Sequence, residues 1–293
     1  MIYVIFGPTA SGKTNAAIEL ANRLNAPIIN GDAFQIYQEM NIGTNKLDKD
    51  DPNYKRHYLL DIIKPDQPFS VMEYQTLARK TLDELLKTNK DVIICGGTGL
   101  YIRALLFDYV FLREDSNEDY MNELETYSNE ELHKMLEELD EVEANKIHVN
   151  NRKRLLRALT MMKKNNIVKS EHISSQEHKL IYPEKDIRFL FINPPREELY
   201  ERINLRVDQM LEMGLIEEVK TLMDKYDLSM TAKAGIGYKE VISYLQGEIS
   251  LNDCAELIKK RTRNYAKRQV TFFKNQFPNL ESFSSYEELL QKI

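Results

Sequence analysis

The sequence predicts an α/β fold: a parallel sheet core with helices on both faces, an all-helical insertion in the middle of the chain, and a helical C-terminal part. Three observations carry this prediction. Over roughly the first 110 residues, short apolar runs alternate with helical patterns, the rhythm of βα units. From 113 to 181 the chain becomes polar and strand-poor. Beyond that, one further apolar run is followed by sequence with helical spacing only.

Taken in order, "IYVIFG" (2–7) is a buried-type strand and "KTNAAIELANRL" (13–24) an amphipathic helix. "APIINGDA" (26–33) is a second strand that ends in a turn, and "RHYLLDII" (56–63) a third. "VMEYQTLARKTLDELLKT" (71–88) is a long helix leading to the strand "DVIICGG" (91–97). "IRFLFIN" (187–193) is one more core strand. Helices are expected from "REELYERINLRVDQMLEMG", "LIEEVKTLMDKY" and "YKEVISYLQG", and over Ser250 to about Gln276. The core therefore comprises 1–112 and 182–293, and the insertion 113–181.

Hydrophobic content of 42% and charged content of 29% belong to an ordinary globular chain. The opening "MIYVIFG" lacks a basic leader, and no apolar run reaches the roughly 18 residues of a membrane span. A cytoplasmic protein without a membrane partner is expected, with a monomer as the default. Cys95 and Cys254 lie far apart without CxxC spacing, which argues against a disulfide framework or a zinc site. Formal net charge is -6, but its distribution is uneven. Residues 114–144 hold thirteen acids and one base, Lys134, whereas Lys146 to Lys169 hold eight bases and no acid. A second acid-free stretch, 259–274, has seven bases interleaved with Tyr265, Phe272 and Phe273. Such blocks suit a polyanion-binding face, and equally suit solvated helix surfaces.

"GPTASGKT" matches G-x-x-x-x-G-K-[ST], placed after a strand and before a helix. The loop Gly7, Pro8, Thr9, Ala10, Ser11 and Gly12 is expected to wrap phosphate oxygens, with Lys13 supplying a full charge and Thr14 a ligand for Mg²⁺. The core is thus of the P-loop NTPase-like type, with a nucleotide or pyrophosphate as ligand. Ligands of open α/β sheets sit beyond the carboxyl ends of the strands. "IINGDAFQIY" puts Asp32 and Gln35 past the second strand, and "IICGGTGLYIRALL" puts Thr98 past a later one. Read alone, Asp32 is also suited to hold a magnesium-bound water, and Thr98 to cap a helix. Arg202 and Arg206, spaced i, i+4, share a helix face that suits a diphosphate, or a salt-bridge surface with Glu198 and Asp208. His57 reads as a structural histidine at a strand start, and Tyr265 and Phe272 as core.

At these residues the chain resembles the tRNA dimethylallyltransferases, also called tRNA isopentenyltransferases, over nearly its whole length. The markers are "GPTASGKT", "GDAFQIYQEMNIGTNK", "RHYLLDI", "GGTGLYIRALL", "NNRKRLLRAL", "AGIGYKE" and "RTRNYAKRQVTFF". The resemblance implies transfer of a dimethylallyl group from dimethylallyl pyrophosphate to the exocyclic amine of the adenosine 3′ of the tRNA anticodon. It implies Asp32 as the base, Thr98 beside the reacting centre, and Ala33, Phe34 and Gln35 around the target adenine. Arg152, Lys153, Arg154 and Arg157 of the insertion would hold the anticodon stem-loop through its phosphates, with Arg263, Lys267, Arg268 and Gln269 facing RNA or donor from the C-terminal helix. The target base must leave the stack to react.

The chain departs from the family pattern at Ala33 and Phe34, where Ser-Met is usual, which removes one hydroxyl beside Asp32. Asn151, Thr160 and Phe272 replace a usual Asp, Glu and Trp. Three other readings share parts of the pattern: a P-loop small-molecule kinase, an isopentenyltransferase acting on free adenine nucleotides, and a non-catalytic RNA-binding NTPase.

Overall fold

The computed structural model describes residues 1–111, 118–171 and 178–293, and divides them into two compact units, Met1–Leu106 with Tyr182–Ile293, and Phe107–Ile181. The second unit thus begins at Phe107 rather than at 113, a position outside the described residues.

The first unit is built on a six-stranded sheet in the order β3-β2-β4-β1-β5-β6, every pair of which is parallel. Its strands are β1 (Ile2–Phe6), β2 (Ile28–Asn30), β3 (His57–Tyr58), β4 (Val92–Gly96), β5 (Ile187–Ile192) and β6 (Leu280–Phe283). Strand residues alternate between two buried faces, which is why the strands read as continuous apolar runs. On one face Ile5, Ile28, Ile93, Leu190 and Ile192 pack with Ala17 and Leu20 of α1 (Lys13–Leu24) and with Leu289 of the last helix, Tyr286–Lys292. On the other face Phe6 meets Phe273 and Phe277 at centroid distances of 4.7 and 4.9 Å.

Local chemistry explains the helix ends. The α2 helix (Val71–Thr88) starts in a capping box, Ser70 with Glu73. The α1 helix opens at Gly12, whose φ of +88° favours glycine, and closes at Asn25 in the left-handed region. The α3 helix spans Gly99–Leu106.

Two expectations need correction. The third strand is not eight residues long but two, because Leu59 and Asp61 turn to positive φ (65° and 52°). That turn brings the Asp61 carboxylate to the buried Lys46 ammonium at 2.6 Å and to the Tyr54 hydroxyl at 2.6 Å. The C-terminal part is also not wholly helical. The edge strand β6 pairs Leu280 to Phe283 with Phe189 to Ile192.

Between β5 and β6 lie α8 (Arg196–Glu212), α9 (Leu215–Lys225), α10 (Met230–Lys233), α11 (Tyr238–Leu245) and α12 (Leu251–Gln276). They bury a second core in which Val207, Met210, Val219, Val241 and Ile258 pack with Ile36 and Tyr37. The second unit has its own core, with Leu132 and Leu136 of α5 (Asn129–Leu139) against Leu155 and Leu159 of α7 (Arg152–Asn165). It also holds α4 (Glu118–Glu125) and α6 (Glu141–Ala144). Its described helices accord with the all-helical expectation for the insertion, and the calls that fall on 112–117 and 172–177 lie outside the described residues.

Strands β2, β4 and β1 are neighbours, so their carboxyl ends, followed by Asp32, Thr98 and the glycine loop, lie side by side. Gly96 and Gly31 make this crowding possible: a Cβ on Gly96 would sit 2.2 Å from the Gly31 carbonyl carbon. Gly96→Ala is expected to destabilise the fold by about 3 kcal/mol or more, as overpacking against rigid backbone does. Urea unfolding checks this, and a variant of wild-type stability contradicts the geometry.

Candidate active site

A cavity of about 330 Å³ opens above those strand ends. Its floor is the loop between β1 and α1. Gly7 approaches Ile192 so closely that a Cβ would meet its carbonyl oxygen at 2.4 Å. Ala10 (φ 63°) and Gly12 complete the turn that directs the loop toward the start of α1. The Ser11 hydroxyl is buried without a partner among the described residues, and the Pro8 carbonyl accepts from Ser11 N and from Lys13 Nζ, each at 3.3 Å. Thr9 N donates to Gln269 Oε1 at 2.9 Å, and Gln269 Nε2 donates to the Gly97 carbonyl at 2.7 Å. Gln269, buried on α12, therefore ties the glycine loop to the turn after β4.

Two cations face this floor. Burial pushes the Lys13 ammonium below the usual lysine value, and Arg206 beside it adds to the shift while Cys95 and Asp32 oppose it. Arg206 donates to Thr9 Oγ1 at 2.8 Å, and burial pushes its guanidinium down to about 10 against the charge of Asp32. Two desolvated positive groups on a phosphate-type loop form a site whose charge is completed by an anion. Arg202 stands one turn earlier on α8, paired with Glu198, and is not in the cavity lining. The i, i+4 pair is thus divided: Arg206 faces the loop and Arg202 takes the salt-bridge role.

Asp32 hangs over the same floor. Its Oδ1 accepts from Phe34 N at 3.0 Å, its backbone N–H donates to Asn30 Oδ1 at 3.0 Å, and it lines the cavity with Lys13 and Thr14. Thr98 both opens α3, its carbonyl accepting from Tyr101 N, and accepts from Ala33 N through its hydroxyl at 3.0 Å. Ala33 is thereby fixed by its backbone, a contact that needs no side-chain hydroxyl. Tyr265 departs from its expected core role: it is half-buried, it lines the cavity, and burial pushes its phenol up to about 12. Gln35 lines the cavity with its amide held by the carbonyls of Thr44 and Asn45. Away from the charges the wall is apolar, with Phe34, Val207, Met210, Ile236 and Ile258.

The expected RNA-facing residues fall into groups. Arg268 lines the cavity mouth and stacks over the Tyr265 ring, with Lys267 exposed beside it. Arg263 is turned to Asn204 Oδ1 at 2.5 Å. Within the second unit, Lys153, Arg154 and Arg157 are exposed on α7. Arg152 instead serves the unit internally, donating to the carbonyls of Tyr127 and Glu125 and to Asn129 Oδ1. Phe272 is half-buried, packed against Gly99 and edge-on to Phe273. His57 holds the Asn53 carbonyl at 2.9 Å, a structural role.

Among the described residues, no three His, Cys, Asp or Glu side chains cluster as a metal site, and no helix is long and apolar enough to cross a membrane.

Residues 35–276 match the family model described as IPP transferase. A tRNA dimethylallyltransferase of Anoxybacillus flavithermus is 43% identical over 94% of this chain and 88% of its own, and one of Clostridioides difficile is 40% identical over 100% and 96%. Among solved structures, a tRNA isopentenylpyrophosphate transferase from Staphylococcus epidermidis is 39% identical, with a TM-score of 0.71 over 99% of this chain and 96% of that one. A eukaryotic dimethylallyltransferase described as acting on tRNA aligns with a TM-score of 0.81 at 27% identity, over 99% and 75%.

Proposed function

This chain belongs to the IPP transferase family, and we propose that it transfers a dimethylallyl group from dimethylallyl pyrophosphate to the exocyclic amine of the adenosine 3′-adjacent to the tRNA anticodon. The single observation that carries the reading is the division of one cavity. Half-buried Lys13 and Arg206 stand at the glycine loop, apolar Val207, Met210, Ile236 and Ile258 form the wall, and Asp32 is a carboxylate in the same lining. A pyrophosphate with a five-carbon tail satisfies both ends, and a third ligand, the base, has to reach the carboxylate.

The chemistry follows from that arrangement. The donor's C1–O bond breaks as the adenine nitrogen bonds to C1. Negative charge then grows on the leaving pyrophosphate, where Lys13, Arg206 and the N–H groups of the loop stabilise it. An aromatic amine is a poor nucleophile until its proton leaves, and Asp32 takes that proton. Thr98 is not in the cavity lining; its hydroxyl accepts from Ala33 N and so fixes the backbone next to Asp32, and its role beside the reacting centre belongs to this proposal.

Mg²⁺ fits the donor set. The Thr14 hydroxyl and the Asp32 carboxylate are hard oxygens in one lining, and an ion that keeps most of its ligands as water and substrate phosphate needs few more. Thr14 would hold it, and when bound it would supply further charge neutralisation on the pyrophosphate.

The anticodon stem-loop is read as held by its phosphates, through Lys153, Arg154 and Arg157 of α7 and Lys267 and Arg268 of α12, and the cytoplasm as the compartment in which the enzyme meets tRNA. Binding carried by phosphate contacts weakens with salt. Stem-loop affinity is expected to fall by ~10-fold or more between 50 and 200 mM NaCl, and K153A/R154A to lower the salt slope by about 2. A flat response removes these residues from the interface.

The deciding experiment incubates the protein and Mg²⁺ with unmodified tRNA and either radiolabelled dimethylallyl pyrophosphate or γ-labelled ATP. Label passing from the allylic donor into tRNA is the expected result. Label appearing in free AMP means a nucleotide prenylase, and reaction of ATP alone means a kinase or NTPase.

A further inference from the structure

Glu218, on α9, is outside the cavity lining, yet its carboxylate gathers an unusual set of donors. Oε2 accepts from the backbone N–H groups of Asn41 at 3.0 Å and Ile42 at 2.7 Å. Oε1 accepts from Gly43 N at 3.2 Å and from the Tyr238 hydroxyl at 2.7 Å. Three successive amides around one carboxylate form a nest, a conformation held by the anion inside it. Gly43 must be glycine there, since a Cβ would lie 2.5 Å from the Tyr238 ring.

The two residues that follow this nest are the ones that hold Gln35. Its Nε2 donates to the Thr44 carbonyl at 3.1 Å and to the Asn45 carbonyl at 3.3 Å. Two carbonyls require the NH₂ end of an amide, so the orientation of the side chain is set by them. Oε1 is left as the polar atom offered to the cavity, and no donor meets it among the described residues. An acceptor in that position favours a base edge carrying N–H and opposes one carrying a carbonyl.

We propose that Glu218 is a positioning residue for selection of the target base: by holding the amides of Asn41, Ile42 and Gly43 it places the Thr44 and Asn45 carbonyls on the Gln35 amide, which leaves Gln35 Oε1 to accept from an amine. The inference rests on the prenyl-transfer reading above. It goes further in assigning base discrimination to a carboxylate that touches neither substrate.

The test is a double-mutant cycle between Glu218 and Gln35, read in two ways. The first is kcat/KM for prenyl transfer to tRNA. The second is the affinity ratio for anticodon stem-loops bearing adenosine or inosine at the target position, which needs no turnover. Wild type is expected to favour adenosine by ~10-fold, within the range of one lost polar pairing. E218A and Q35A should each bring the ratio near 1, and E218A/Q35A should be no worse than Q35A. The donor KM should stay within about twofold of wild type in each, since the nest does not touch the phosphate end. E218Q covers the case in which E218A does not fold. It keeps the shape but turns one oxygen into a donor facing N–H groups, so the same non-additivity is expected. The inference is overturned if E218A and E218Q keep the adenosine preference, if their losses multiply with Q35A, or if the donor KM rises instead. A wild-type protein that does not prenylate tRNA sinks the functional reading itself. Wild-type transfer with an additive cycle sinks only the role of Glu218.

Discussion

Asp32→Asn is expected to lower the rate of prenyl transfer by ~10²–10⁴-fold while leaving stem-loop binding within about threefold of wild type. The change is nearly isosteric and removes only the charge. The position is held by its surroundings rather than by an ion pair: the Asp32 N–H donates to Asn30 Oδ1 and the side-chain Oδ1 accepts from Phe34 N. An Asn in the same place keeps that acceptor, so the turn should survive. What it loses is the capacity to take a proton from the adenine amine, and the slow step then carries the full cost of alkylating an undeprotonated nitrogen. Single-turnover rates with saturating tRNA isolate the chemical step. A rate within tenfold of wild type assigns the proton to another acceptor. A loss of the same size in tRNA affinity shows Asp32 to be a binding residue instead. The charge also opposes the burial of Lys13 and Arg206, so D32N should depress both further, and thermal stability without ligand should fall slightly.

Much of the frame was legible because local signals agree with each other. The helices expected over 13–24 and 71–88 form over those residues, each with apolar periodicity, and Ser70 with Glu73 caps the second. The long C-terminal helix likewise spans Leu251–Gln276. The sixth strand, 280–283, carries no strand signal in the sequence because "LESF" is a short, largely polar edge segment supported by its pairing with β5. The third strand is shorter than the apolar run through 56–63 suggests because Leu59 and Asp61 turn to positive φ, and the partner that holds Asp61 there, Lys46, lies fifteen residues away in sequence.

The loop that floors the cavity is one contiguous motif and Asp32 comes just past a strand, so both are legible in the sequence. The apolar end is not. Val207, Ile236 and Ile258 come from separate segments that only the packing of α8, α12 and the loop before α11 brings to one wall. The roles of Arg202 and Arg206 show the same limit at higher resolution. Spacing places them on one helix face, but which one meets Thr9 depends on where along its length α8 crosses the loop. Tyr265 illustrates a third case: on a basic helix an aromatic side chain reads as core, and the cavity it borders is invisible until the sheet is assembled.

Removing either half-buried cation should trade activity for stability, and this is the second large effect. Lys13→Met and Arg206→Met are each expected to lower kcat/KM for the allylic donor by ~10²-fold or more, the scale of losing one preorganised charge from a developing anion. Both should raise the melting temperature of the ligand-free protein by about 2 °C or more, because each deletes a desolvated charge that makes no ion pair among the described residues and whose burial Asp32 opposes only in part. The pH dependence follows with a definite sign. Lys13 is lowered from 10.5 in the folded state, so between its folded value and 10.5 the unfolded chain binds the extra proton. Stability of the free protein therefore rises with pH through that window, and the burial penalty is fully present below the folded value. Inorganic pyrophosphate should reverse this, stabilising wild type in proportion to its occupancy and both variants far less. Differential scanning calorimetry with and without pyrophosphate reads all of it. If K13M and R206M melt several degrees lower than wild type without ligand, the cations are structural and the site is not held in readiness for an anion. If pyrophosphate stabilises the variants as much as wild type, it binds elsewhere, and the division of the cavity into a phosphate end and a prenyl end fails with it.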